Sequence, residues 1–485
     1  LRALRPSPRV RRSTRRFKLA PERAQEFRMQ SILHRRPPRL AHELKETAVL
    51  ALPLVLSQLM AVGMNAIDAM LAGHHAAVTL GAVAVGAGIW SIAVVVAIGV
   101  TMAVPPSVAQ LYGAGRTLEV GGVFRQALWL ALALGLLCWI GVRSAGPLVR
   151  LIGVDPHLFD EVDRFLRGVS WGAPAIAVFF TLRGMSAGIG ITRPTMYFSL
   201  MSLLLLGPIA YVLLHGKFGF PEMGAGGIGL ATAIVLWLET LAFGLYIALH
   251  RGYAPYAPYA RFDKPDPRAI GELLRIGVPM GVTVFMEASL FIATTLAMGT
   301  LGADTVASHQ VALNVAALFF MIPLGIAMAT TVRIGHAVGR GDAAGVRKAG
   351  AAGFVLALAT QVLSGSVMAL LPTTIAGWYS NDATVIALAA QLLLLAAVFQ
   401  FSDGIQAVAN GALRGLKDTR LPMLITTFAY WGVGMSVGWW LAFPHGLGAR
   451  GMWMGLIAGL SAAAILLTWR FWRLARRPLT EAAGA

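Results

Sequence analysis

The sequence predicts an all-α polytopic membrane protein: twelve transmembrane helices arranged as two pseudo-symmetric six-helix bundles. Three observations predict it. Apolar runs long enough to cross a bilayer recur twelve times, basic residues are divided unequally between alternate loops, and the second half of the chain repeats the first. Composition sets the class. Of 485 residues, 57% are apolar before 54 glycines are counted, and only 13% are charged. The mean hydropathy is +0.70. A soluble domain carries about 25% charged residues, so a water-soluble enzyme and a disordered chain are both excluded. The single cysteine, Cys138, rules out an intrachain disulfide framework and a cysteine-cluster metal site, and it reads as a small apolar packing residue.

The elements follow in order. Residues 1–47 form a basic tail with 14 Lys and Arg against Glu22, Glu26, Glu43 and Glu46, which holds over half of the net charge of +18. Its first 28 residues start at Leu1, are rich in Arg and Pro, and hold no apolar core of a signal peptide. They read as an upstream extension, with synthesis starting at Met29. Six spans near 48–72, 78–104, 123–142, 165–187, 195–215 and 224–249 make a first bundle, 48–250. A Pro-rich linker, 251–272, carries Tyr-Ala-Pro-Tyr-Ala-Pro-Tyr. Six more spans near 273–298, 305–332, 349–371, 385–412, 421–443 and 451–472 make a second bundle, 273–472, followed by a short tail, 473–485.

Orientation comes from charge. With the N-terminus inside, the inside loops and C-terminal tail hold 20 Lys and Arg, among them Arg125, Arg183, Arg333 and Arg414, while the outside loops hold six. Positive loops resist translocation, so both termini are expected in the cytoplasm. The same distribution makes the tail a topology signal rather than a nucleic-acid arm. The repeat has an offset of 226 residues, pairing Pro53 with Pro279, Gly99 with Gly325 and Gly113 with Gly339. Nearby, Leu182-Arg183-Gly184 recurs as Leu413-Arg414-Gly415. Six is even, so both halves enter the membrane from the same side, as in a parallel-repeat transporter.

Only four acids fall inside spans: Asp68, Glu239, Glu287 and Asp403. A charged side chain at mid-bilayer costs about 2.5–3.5 kcal/mol on insertion scales, so a bound proton or cation is the expected return for Asp68, Glu287 and Asp403. The competing reading is a neutral carboxyl hydrogen-bonded between helices. Glu239 has no counterpart in the other half. A hard cation such as sodium takes the same carboxylate oxygens as a proton, and the sequence leaves the two open. Gln58, Asn65, Gln310, Asn314, Gln400, Gln406 and Asn410 either join helices or line water. Met286 and Phe399 are apolar walls of a cavity or plain core.

Two patterns mislead. Gly224-Ala225-Gly226-Gly227-Ile228-Gly229 matches a dinucleotide fingerprint but opens a membrane helix. His74-His75 lacks an acid or cysteine at ligand spacing. No Gly-Lys-Ser or Gly-Lys-Thr occurs, so nothing points to ATP drive.

Several stretches together resemble the multidrug and toxic compound extrusion (MATE) family, NorM-type branch. They are Ile67-Asp68-Ala69-Met70-Leu71-Ala72-Gly73, Phe285-Met286-Glu287-Ala288-Ser289-Leu290-Phe291, Ser308-His309-Gln310-Val311-Ala312-Leu313-Asn314, Gly335-His336-Ala337-Val338-Gly339, Phe399-Gln400-Phe401-Ser402-Asp403 and Leu413-Arg414-Gly415-Leu416-Lys417-Asp418-Thr419. With the repeat, the similarity covers about residues 43–470. The resemblance implies a MATE/MOP-like fold and a secondary antiporter, not an enzyme, that exports lipophilic organic cations in exchange for protons or sodium by alternating access. No cofactor beyond the coupling ion is expected. The partners it implies are cationic drugs and dyes and the lipid bilayer, without nucleic acid, for a monomer in a bacterial inner membrane. It assigns ion coupling to Asp68, Glu287 and Asp403. Glu287 and Asp403 are also the expected substrate and sodium ligands, with Met286, Phe399, Gln400, Gln58, Gln310 and Asn314 completing the substrate site. Two departures stand out: Leu206 and Ala210 replace family asparagines in the fifth span, and Phe399 replaces a family tyrosine. A lipid-linked oligosaccharide flippase of the same superfamily is the alternative, and it should carry basic residues in its cavity.

Overall fold

A computed structural model describes residues 40–478 apart from 152 and 154, so the basic tail and its proposed extension lie almost wholly outside the described residues. Every regular element among the described residues is helical. The first bundle comprises α1 (Leu40–His75), α2 (Ala77–Gly113), α3 (Thr117–Arg143), α4 (Pro156–Ser170 with Ala173–Gly188), α5 (Arg193–His215) and α6 (Ala225–Leu249). The second comprises α7 (Pro267–Gly299), α8 (Ala303–Gly339), α9 (Ala343–Leu370), α10 (Ala383–Gly415), α11 (Arg420–Ala442) and α12 (Ala449–Ala475). Eleven are single crossings. The fourth is bent by 42° between its two pieces, where Gly172 precedes Ala173 and Pro174. Proline cannot donate its amide into the turn before it, so the helix restarts there. The repeat shows down to small parts: a one-turn helix at Gly146–Leu151 recurs at Pro372–Gly377.

The helices run further than the apolar runs that announced them. Arg125, Arg183, Arg333 and Arg414, expected in inside loops, all lie within helices and are at least half-buried. The linker packs against α3 and α4. Arg125 Nε donates to Asp263 at 2.6 Å, Gln126 Nε2 donates to the Lys264 carbonyl at 2.9 Å, and the Tyr253 hydroxyl meets Ser186 Oγ at 2.6 Å. Tyr253 is fully buried. The linker therefore belongs to the first bundle.

The two bundles touch at one end, and the contacts obey the repeat. A methyl added at Gly99 would strike Gly281, and one at Gly325 would strike Val55; each pair is the other shifted by 226 residues. One turn or more beyond, Gly113 lies on the His336 backbone and Gly339 on the Gln110 backbone, again a repeat-related set. Only residues without Cβ let backbones approach this closely. Two hydrogen bonds close the crossing reciprocally. Gln110 Nε2 donates to the Gly415 carbonyl at 2.9 Å, and His336 Nε2 pairs with the Gly188 carbonyl at 2.7 Å. Gly188 and Gly415 each end the fourth helix of their bundle, so both bonds cap carbonyls that the helix leaves without a partner. The His336 ring also sits 4.7 Å from that of Tyr112. Further out, Arg333 holds the buried Glu43 at 2.7 Å. Among the described residues, every side-chain hydrogen bond and ion pair between the bundles falls at this sealed end or at the cavity just above it.

Candidate functional site

Above the seal, helices of both bundles enclose a cavity of about 330 Å³. The first bundle contributes Gln58 of α1, Thr101 and Met102 of α2, and Phe180 and Arg183 of α4. The second contributes Glu287 and Phe291 of α7, Phe320 and Met328 of α8, and Gln406, Asn410 and Arg414 of α10. Apolar surface dominates the wall, and the polar groups converge from opposite sides, as a site for an organic molecule requires.

The charged groups are arranged by the repeat. Arg183 and Arg414, the arginines of the two Leu-Arg-Gly triplets, face the same cavity from opposite bundles. Arg183 Nη2 donates to Gln58 Oε1 at 2.8 Å, while its Nε is buried without a partner. On the second-bundle side, Glu287 has Arg414 and Gln406 as its polar neighbours. Asp403, 3% exposed, stands behind it beside the same Gln406. Asp403 Oδ1 is buried without a hydrogen-bond partner, and so is the hydroxyl of Tyr430, which reaches the same cluster from α11. Residues 428–435 of α11 form a π-helical stretch, a wider turn that moves side chains off the ordinary helical register. Neither Glu287 nor Asp403 forms an ion pair among the described residues. Buried polar atoms ordinarily have a partner, so Asp403 Oδ1 and the Tyr430 hydroxyl leave hydrogen-bonding capacity unused in the cluster.

Not every expected residue meets at this cavity. Gln58 and Glu287 line it, and Asp403 lies directly behind. Phe399 is packed in the second-bundle core, with ring centroids 6.1 Å from Phe291 and 5.6 Å from Trp453. Gln400 is fully buried and donates to the Ala316 carbonyl at 2.9 Å, so it ties α10 to α8. Met286 packs against the same core. Gln310 and Asn314 are exposed on α8 and bond each other at 3.3 Å, and neither is among the residues that line the cavity. Asp68 is in the first bundle and is not among the residues that line the cavity. Its Oδ2 accepts from Thr232 at 3.3 Å, its Oδ1 is buried without a partner, and the nearby Leu206 and Ala210 are fully buried in an apolar cluster. Glu239 accepts from Ser199 at 3.2 Å and has Arg183 as its charged neighbour.

Residues that sequence reasoning did not assign to the site are Arg183, Arg414 and Tyr430. The recurring Leu-Arg-Gly is visible in the sequence, but each arginine sits near a span end, where the charge pattern alone assigns it to a loop. The Glu161 carboxylate accepts from the Ala225 amide at 2.9 Å and so fills the glycine-rich helix start, while Glu222 meets His75 at 3.1 Å without forming a three-ligand cluster among the described residues.

Comparison with known proteins gives a consistent set of matches. A protein-family model described as MatE matches residues 53–213 and 279–440, starting each time at the repeat-related Pro53 and Pro279. The chain is 48% identical over 456 residues to a "Probable multidrug resistance protein NorM" of Xanthomonas campestris pv. campestris, covering 93% of this chain and 100% of that one. It is 42% identical over 448 residues to the "Multidrug resistance protein PmpM" of Pseudomonas aeruginosa, covering 90% and 93%. Among solved structures, one described as the outward-facing conformation of a multidrug resistance MATE family transporter of the MOP superfamily superposes with a TM-score of 0.83 at 18% identity, covering 91% of this chain and 97% of that one.

Proposed function

This chain belongs to the MatE family as a NorM-type member, and from that premise we propose that it is a secondary multidrug efflux antiporter that exports lipophilic organic cations in exchange for protons or sodium ions. The observation that carries the reading is the pair Glu287 and Asp403: a half-buried carboxyl on the wall of a cavity between two repeat-related bundles and a buried one behind it, neither of them in an ion pair among the described residues.

The charges give a mechanism for exclusive binding. Arg183 and Arg414 against Glu239, Glu287 and Asp403 leave one net negative charge when all five are ionised. That site attracts a cation, and the apolar wall holds its body. One coupling ion on the carboxyls cancels the charge, and a second makes the site positive, so the arginines expel the cation without any contact to it. Arg414 thus serves as a built-in counter-ion for Glu287. Charge distribution supports a cytoplasmic sealed end with both termini on the same side, and the reading takes the membrane to be a bacterial inner membrane. The seal then marks an outward-facing state, in which drug leaves and ions enter. Each inward unit charge is worth roughly 2.3 kcal/mol per 100 mV, so more than one ion per monovalent drug is needed to draw on the voltage.

A flippase for a lipid-linked oligosaccharide or another lipid is the second reading, and the two cavity arginines are the observation that favours it. Dye efflux from pump-deficient cells separates the two. The unmutated protein should export ethidium-type dyes, and Glu287→Gln and Asp403→Asn should each abolish export at normal protein levels. Absence of efflux by the unmutated protein favours the flippase, and unchanged efflux by both variants rejects the coupling assignment.

A further inference from the structure

The lipid-facing wall of the second bundle carries a groove of about 1060 Å³ between α10 and α12 that the transport cycle does not use. Its inner limit is the Ser402–Ser461 pair, whose hydroxyls meet at 2.6 Å, and its other end is marked by Arg473 and Arg476. Both helices run toward the sealed end, since Gly415 at the close of α10 takes part in the seal. From Ser461 to Arg473 the helix rises about 18 Å, and to Arg476 about 22 Å. Half of a hydrocarbon core is about 15 Å, so the groove spans one leaflet and ends at the level of its headgroups.

Its wall is built for an acyl chain. Ile465 and Trp469 are 69% and 57% exposed, beside Phe401 and Ala464. The charges fit a headgroup. The Arg473 guanidinium lies 5.2 Å over the Trp469 ring, and neither Arg473 nor Arg476 has a carboxylate partner among the described residues, whereas the adjacent Arg470 is committed to Asp418. Thr468 Oγ1, about 7.5 Å inside Arg473 along the helix, is buried without a partner.

We propose that this groove binds one anionic glycerophospholipid of the leaflet at the sealed end, with its phosphate on Arg473 and Arg476 and an acyl chain running along Ile465 toward the serine pair. Basic pockets between membrane helices recognise such headgroups. A transmembrane helix of a second copy needs about 30 Å of wall, and this groove stops halfway. A cationic drug meets two arginines.

The test uses the full chain in phosphatidylcholine vesicles carrying a trace of photoactivatable phosphatidylglycerol or of phosphatidylcholine with the same labelled chain, with adducts mapped by peptide mass spectrometry. Phosphatidylglycerol should label residues 401–405 and 461–476, and phosphatidylcholine should do so at least tenfold less. Arg473→Gln with Arg476→Gln should lower phosphatidylglycerol labelling about 30-fold, roughly fivefold per arginine. Arg473→Lys with Arg476→Lys should keep most of it, and Arg251→Gln with Arg268→Gln, on the linker side, should leave it unchanged. Equal labelling by the two lipids, labelling indifferent to the glutamine pair, or crosslinks from the groove to a second copy would each overturn the assignment.

Discussion

In the proposed cycle the reciprocal bonds of the seal favour the sealed state, and their loss can be sized. Gln110 and His336 each cover the terminal carbonyl of a helix in the opposite bundle, at 2.9 and 2.7 Å. An intramolecular hydrogen bond is worth about 1 kcal/mol net, so Gln110→Ala or His336→Ala should move the equilibrium toward the unsealed state about fivefold, and the double variant about 30-fold. The 30-fold figure is the additive sum, and since the two residues sit at one backbone crossing, a departure from it measures their coupling. The chain's single cysteine simplifies the assay: with Cys138 replaced by alanine, Ala187→Cys puts one thiol on the cavity wall. Inside-out vesicles then present the sealed end to a membrane-impermeant thiol reagent. The labelling rate should rise about fivefold in each single variant and about 30-fold in the double. His336→Gln should label at the parental rate, because position 336 then carries the side chain that its repeat partner at 110 already uses for the same bond. Rates within twofold of the parent in the double variant would refute the latch.

Other outcomes follow from the same contacts. Gly339→Ala drives a methyl into the Gln110 backbone, so the sealed state should lose about 1–3 kcal/mol, read as a lower midpoint of thermal unfolding in detergent together with faster Ala187→Cys labelling. Arg333→Ala leaves Glu43, 2% exposed, as an uncompensated buried charge, which should cost about 3–5 kcal/mol, while Arg333→Met with Glu43→Gln should recover most of it on thermal unfolding. Arg414→Gln removes the internal counter-ion of Glu287: equilibrium dye binding should persist or tighten, but release on acidification should weaken at least tenfold, and normal release would remove Arg414 from the mechanism.

Much of this was legible in the chain because hydrocarbon is an exacting solvent. Each span must be apolar for about 20 residues, and each acid within one stands out by its cost, which is why Asp68, Glu287 and Asp403 were visible. Arg183 and Arg414 were misplaced for the same reason. Near a span end an arginine looks the same whether it faces water or a cavity, and only the helix lengths, reaching Gly188 and Gly415, settle it. Phe399 and Gln400 follow Asp403's helix but turn to the core and to α8, since helical spacing fixes a face without saying what it meets. Tyr430 was hidden more deeply. Its direction depends on the π-helical turn of α11, which no apolar periodicity announces.

Ion release on drug binding tests the antiport account most directly. Purified protein in weak buffer is titrated with tetraphenylphosphonium at pH 7 while a pH electrode follows the solution, and the titration is repeated with sodium present. The account predicts release of at least one proton per bound cation, or its replacement by competition with sodium, and loss of that linkage in Glu287→Gln with Asp403→Asn. Saturable binding that releases no proton, ignores sodium and survives in the double variant would contradict it.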